Sequence, residues 1–237
     1  PLRALRGATP PSRNALSHAN QVRDCAMAEQ LFWRVLEHLQ GRFPRFAQGS
    51  TRGLAWRFRR TIHVVDSTTI ELVASCMDWA KHRRRKAAAK CQLRLDLQSF
   101  LPRFAIIDTA READAKRARE ICADVEDGEI VIFDKAYLDF GHLGDLESRG
   151  VVWVTRAKEN LSYEVRESYP VPLGGKVVKD ELIALKNPAS QKAYPELLRR
   201  VEVWVEVDGK EKLMTFLTNQ LTWSPQSIAD LYRCRWG

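Results

Sequence analysis

The chain has 237 residues, 45% hydrophobic and 29% charged, a balance that suits a folded protein with a sizeable core and excludes a disordered or fibrous one. Lys and Arg outnumber Asp and Glu 38 to 30, giving a net charge of +8 and a pI near 9.4; nucleic acid is the favoured partner and an anionic membrane surface the weaker one. The five cysteines (Cys25, Cys76, Cys91, Cys122 and Cys234) show neither metal-ligand spacing nor a disulfide framework; with no long apolar run and no leader-like h-region, a cytoplasmic protein with no membrane span is expected.

Residues 1–55 are expected to form a basic arm and a helical region. The first fifteen or so, rich in Arg, Pro and Ser, read as a mobile arm. Ser17 then caps a helix running to about Gln40, with Val22, Cys25, Leu31, Phe32, Val35, Leu36 and Leu39 at helical spacing and Gly41 as its stop. A core region, 56–155, opens with the β-branched run Ile62, Val64, Val65, which leads into Asp66 and either stays extended past it or turns there. Gln92–Gln98 alternates as a half-buried strand, and Phe104–Ile107 makes a third, antiparallel to its neighbours. Glu112–Ala123 reads as a helix. Ile130–Phe133, apolar throughout, reads as a strand buried on both faces and ending at Asp134. A helix over Leu138–Arg149 and a buried strand over Val151–Val154 complete an α/β pattern with a partly parallel sheet.

Residues 156–212, punctuated by Pro and Gly, read as a β-rich insertion, with Val201–Val207 a strand and Asp208-Gly209 a hairpin turn. The core resumes over 213–237 with a strand at Leu213–Leu217. A last helix follows, capped by Ser224 with Pro225 at its first position.

Asp66 and Asp134 are the sharpest candidates for chemistry. Each follows a run of apolar strand formers, and in open sheets active sites gather at the carboxyl ends of strands. Two carboxylates on adjacent strands make a hard oxygen site suited to Mg²⁺ or Mn²⁺. Either Asp alone is better explained as a turn residue. The basic run Lys81, His82, Arg83, Arg84, Arg85, Lys86, with Lys90 beyond, would contact DNA phosphates and make binding salt-dependent. The histidines form no metal set, and His63 reads as a core or sheet-edge residue. Neither a Gly-rich phosphate loop nor a nucleophile elbow is present, which argues against nucleotide hydrolysis and acyl transfer.

Beyond these readings, Val65-Asp66-Ser67-Thr68-Thr69-Ile70 resembles the first catalytic block of DDE transposases of bacterial insertion sequences, in the branch with a Tyr–Arg–Glu–Lys signature (insertion-sequence family four). Asp134-Lys135-Ala136-Tyr137 resembles its second block, although Lys135-Ala136 stand where Arg-Gly is common. Val154-Thr155-Arg156-Ala157-Lys158 resembles the next strand and basic turn. Leu231-Tyr232-Arg233-Cys234-Arg235-Trp236 resembles the start of the third, with Tyr232 and Arg235 as the signature Tyr and Arg. Gln92 stands where relatives often carry His. The blocks occur in the right order.

The resemblance implies an RNase H-like core of mixed sheet and flanking helices, interrupted by a β-rich insertion. It implies Mg²⁺- or Mn²⁺-dependent DNA cleavage and strand transfer, with two ions in the complete site, Asp66 and Asp134 as catalytic metal ligands, and Arg156, Lys158, Tyr232 and Arg235 near DNA. Its partners would be transposon ends and target DNA, and a homodimer in a synaptic complex. It puts the third catalytic carboxylate four residues after Arg235, at position 239. The chain is therefore expected to be cut short of a complete site and nearly inactive as it stands. A non-catalytic DNA-binding relic or regulator is the alternative, and another nuclease of the same fold a more distant one.

Overall fold

The computed structural model describes residues 11–43, 46, 57–72, 81–83, 86–109, 114–171, 174–207 and 209–236. The chain divides into two compact units, Pro1–Gln48 and Gly49–Gly237.

The first unit holds two helices, not the single one expected: α1 (Arg13–Val22) and α2 (Ala26–Arg42). Helix α1 starts earlier because Ser12, not Ser17, is its cap; the Ser12 side chain accepts a hydrogen bond from the Ala15 amide. It ends where Arg23 turns extended, and Asp24 then accepts from the Ala26 amide. That local side-chain bond competes with helix continuation although the apolar spacing runs straight through. Neither helix contains a buried residue.

The second unit is built on one mixed sheet. Its strands are β1 (Ile62–Leu72), β2 (Lys81–Arg83), β3 (Lys86–Asp96), β4 (Pro102–Thr109), β5 (Ile130–Phe133), β6 (Val152–Arg156), β7 (Tyr163–Ser168), β8 (Val177–Leu185), β9 (Leu198–Val207) and β10 (Lys210–Thr218). The order is β2-β3-β1-β5-β6-β10-β9-β8-β7, with β4 also on β3. Strands β1, β5 and β6 are mutually parallel; every other pairing is antiparallel. The order β4-β3-β1-β5-β6 is the RNase H-like mixed sheet that the resemblance implies. Strand β10 pairs with both β6 and β9, so the residues 156–212 join the core sheet directly.

Helices α3 (Asp114–Ile121), α4 (Phe140–Ser148), α5 (Pro188–Ala193) and α6 (Pro225–Arg233) complete the unit. Strand residues alternate between two cores, as period two requires. Ile62, Val64, Ile130, Ile132, Val152 and Val154 pack with Ile228, Leu231 and Tyr232 of α6. Val65, Val131, Phe133 and Trp153 pack on the other face with Ile121, Leu143 and Leu146 of α3 and α4. Ser224 caps α6 by accepting from the Ser227 amide, with Pro225 in the first turn, as the sequence led us to expect. Four described cysteines are unpaired, and Cys76 lies outside the described residues. Among the described residues no helix is long and apolar enough to cross a membrane.

Candidate active site

Strand β1 does not end at Asp66. It continues to Leu72 on β3, while its pairing with β5 stops at Val65↔Phe133. The next residue on each strand is a carboxylate, Asp66 on one and Asp134 on the other. Parallel neighbours lie roughly 5 Å apart. Alternation turns both side chains to the α6 face, because Val64 and Ile132 point there and Val65 and Phe133 do not. On β6 the same row continues with Arg156, the residue after the Phe133↔Thr155 pair.

Local bonds fix each carboxylate. Asp66 accepts from the Ser67 amide at 2.8 Å. Asp134 caps a short 3-10 turn (Lys135–Tyr137) by accepting from the Lys135 amide at 2.6 Å. Thr155 Oγ1 donates to the Asp134 carbonyl at 3.4 Å. The side chains stay open to solvent, 54% exposed for Asp66 and 32% for Asp134.

Arg235 closes the inner side. It sits in the 3-10 turn Cys234–Trp236 that continues α6. One guanidinium nitrogen lies 2.9 Å from Asp66 Oδ1 and the other terminal nitrogen 3.8 Å from Asp134 Oδ2, so one cation spans both carboxylates. Its Nη1 also donates to the Tyr232 hydroxyl at 3.2 Å, one helical turn back. Tyr232 is buried against Phe216, ring centroids 4.7 Å apart. Burial works against the Arg235 charge, but Tyr232 and the two carboxylates outweigh it and its pKa is raised. Burial likewise pushes the Tyr232 hydroxyl up to about 12.

The opposite face backs the site with a buried polar layer. Tyr137 is 1% exposed, and burial raises its hydroxyl pKa, with Ser67, Asp114 and Asp66 in its surroundings. Gln92, opposite Ser67 in the β1–β3 ladder, is fully buried, and neither amide atom has a hydrogen-bond partner among the described residues.

The cations expected at DNA divide into groups. Arg156 stands half-buried in the carboxylate row, and Lys158 is exposed, donating to the Leu138 carbonyl at 3.4 Å. Both line a cleft of about 210 Å³ together with Lys135, Tyr163, Arg200 and Thr215. Lys135 was not anticipated as part of it, although a cation directly after Asp134 is visible in the sequence. Lys81, Arg83 and Lys86 lie on β2 and β3. Arg84 and Arg85 lie outside the described residues.

Three of the residues expected at DNA have side chains packed against protein. Lys90 is turned toward α3, its ammonium 3.1 Å from Asp114 with the side chain 14% exposed. Tyr232 and the 2%-exposed Arg235 side chain face inward.

The donor set fits a divalent cation. Two carboxylates one strand apart, open on their outer side, offer hard oxygen ligands and leave room for water and phosphate oxygens. Among the described residues no group of three or more His, Cys, Asp or Glu side chains could hold a metal ion.

The fold thus places two paired acids at the end of the parallel centre of a mixed α/β sheet, beside cations. The transposase DDE domain family matches residues 57–237, and the chain belongs to that family. It is 30% identical over 230 residues to "Putative transposase y4zB" of Sinorhizobium fredii, covering 95% of this chain and 60% of that protein. It is 23% identical over 185 residues to "Probable transposase for insertion sequence element IS5377" of Geobacillus stearothermophilus, covering 76% and 46%. The chain thus spans about half to three-fifths the length of these relatives. A piggyBac transposase synaptic complex with hairpin DNA matches 73% of this chain and 38% of its own, at 12% identity and a TM-score of 0.45.

Proposed function

We propose that this chain carries most of the catalytic core of an insertion-sequence transposase of the Tyr–Arg–Glu–Lys branch, with Asp66 and Asp134 as two of its metal-binding carboxylates. The observation that carries the reading is their adjacency: the parallel β1–β5 ladder ends one residue before both acids. Asp66 and Asp134 would hold Mg²⁺ or Mn²⁺, two ions in the complete site. Bound there, such ions polarise the phosphodiester and ease deprotonation of the attacking water or 3′-hydroxyl. The ladder holds the acids on rigid strands. Arg156, Lys158 and Lys135 draw the phosphate backbone over the row, with Lys81, Arg83, Arg84, Arg85 and Lys86 as a second basic stretch. Transposon ends and target DNA are the substrates, and a homodimer would pair two ends.

The resemblance gives the reaction a third carboxylate at position 239. The test therefore uses a chain carried past that position, with a supercoiled plasmid bearing the element's ends and Mg²⁺. Nicking is expected, and Asp134→Asn or Asp66→Asn should lower it at least about a hundredfold, as loss of a metal ligand removes several kcal/mol of transition-state stabilisation. Full activity in either variant would sink the assignment.

A further inference from the structure

We propose that Arg235 is a resident counter-ion of the site, bridging Asp66 and Asp134 and competing with divalent metal for them. This rests on the reading of those two acids as metal ligands.

The geometry is that of a substitute cation. Separate terminal nitrogens of one guanidinium reach the two carboxylates, at 2.9 and 3.8 Å. An ordinary surface ion pair uses one acid and stays wet, whereas the Arg235 side chain is 2% exposed. The Tyr232 hydroxyl anchors it, and the ring of Tyr232 is fixed in the core by Phe216. The acids are half-open on their outer side, so a metal ion has a path in while the arginine sits behind.

Charge decides the consequence. Without Arg235, two like charges face each other across adjacent strands, a destabilising pair. With it, the three groups sum to −1: held together, yet still attractive to a dication. Entry of a dication must displace or share the guanidinium, whose positive charge opposes it. Metal affinity is thereby lowered, and Arg235 is loosened from the carboxylates only when the site loads.

The test is Mn²⁺ binding to the 237-residue chain without DNA, by titration calorimetry with electron paramagnetic resonance of free Mn²⁺. Arg235→Gln should bind Mn²⁺ about tenfold more tightly than the parent chain. Arg235→Lys, a point charge that cannot fork to both acids, should gain less. Circular dichroism checks the fold, and the Lys variant keeps the question open to test if the Gln variant unfolds. Equal or weaker Mn²⁺ binding by a folded Arg235→Gln or Arg235→Lys chain overturns the counter-ion role. If the parent and Arg235→Gln chains bind no Mn²⁺, or if Asp134→Asn leaves their binding unchanged, the metal-ligand reading fails and takes this proposal with it.

Discussion

Buried groups with no freedom to change charge leave a signature in the dependence of stability on pH. His142 is 2% exposed and lies edge-on to Phe133, ring centroids 5.8 Å apart. Burial first, then the Arg119 and Arg149 charges, lower its pKa to about 4 from 6.5, with Asp139 opposing. Between those values the unfolded chain binds a proton that the folded chain refuses. The contribution is whole above pH 6.5 and drains as pH falls toward 4, by roughly 2 kcal/mol at pH 5. His142→Gln should flatten that part of the curve in urea unfolding measured at pH 7 and pH 5. A slope identical to the parent's would show that another group is responsible. Gln92 poses a different question at this scale. A buried amide without partners among the described residues costs free energy that a leucine would not, and it lies one ladder step from the carboxylate row.

At the level of elements, α6 is held in place by a pair distant from the site. Arg199 on β9 binds Asp180 on β8 through two nitrogens at 2.8 and 2.7 Å, with side chains 6% and 3% exposed. Its third nitrogen donates to the Leu221 and Trp223 carbonyls, the loop that leads into the Ser224 cap. Asp180→Ala should cost about 3–5 kcal/mol, because it leaves a buried cation unpaired. The double variant Asp180→Leu, Arg199→Met should recover much of that in urea unfolding. It should still show faster amide exchange at the start of α6, since the loop has lost its donor; unchanged exchange there would refute the tether.

The same elements show what was readable in the chain. Ile130–Phe133 is bounded as expected because a short, β-branched, wholly apolar run suits a doubly buried strand. The Ser224-Pro225 start of α6 was equally plain, since capping is local chemistry. The break between α1 and α2 was not, because a side-chain bond from Asp24 overrode a periodicity that continues on both sides. Strand β3 was seen only from Gln92, since Lys86–Lys90 carries cations and alanines and no alternation. Asp66 and Asp134 could be picked out singly. Their bridging by Arg235 could not, as it depends on how β1, β5 and α6 meet in space.

For the molecule as a whole, a charge of +8 is a statement about association more than about fold. Binding to a short DNA duplex should weaken steeply with salt, in a straight line of log K against log salt. Arg156→Ala with Lys158→Ala should reduce that slope by about 1.8, two phosphate contacts at about 0.9 each. An unchanged slope would move the DNA path away from the cleft. Sheet order adds a consequence for synthesis. Strands β1 and β5 leave the ribosome well before α6 and the 3-10 turn after it, the elements that bring Tyr232 and Arg235. Until then the apolar face of Ile62, Val64, Ile130 and Ile132 has no lid. In the nascent chain that apolar face and the two acids beside it wait for α6 and the turn after it. Docking of α6 and the turn after it covers that face and sets one cation between the two acids together.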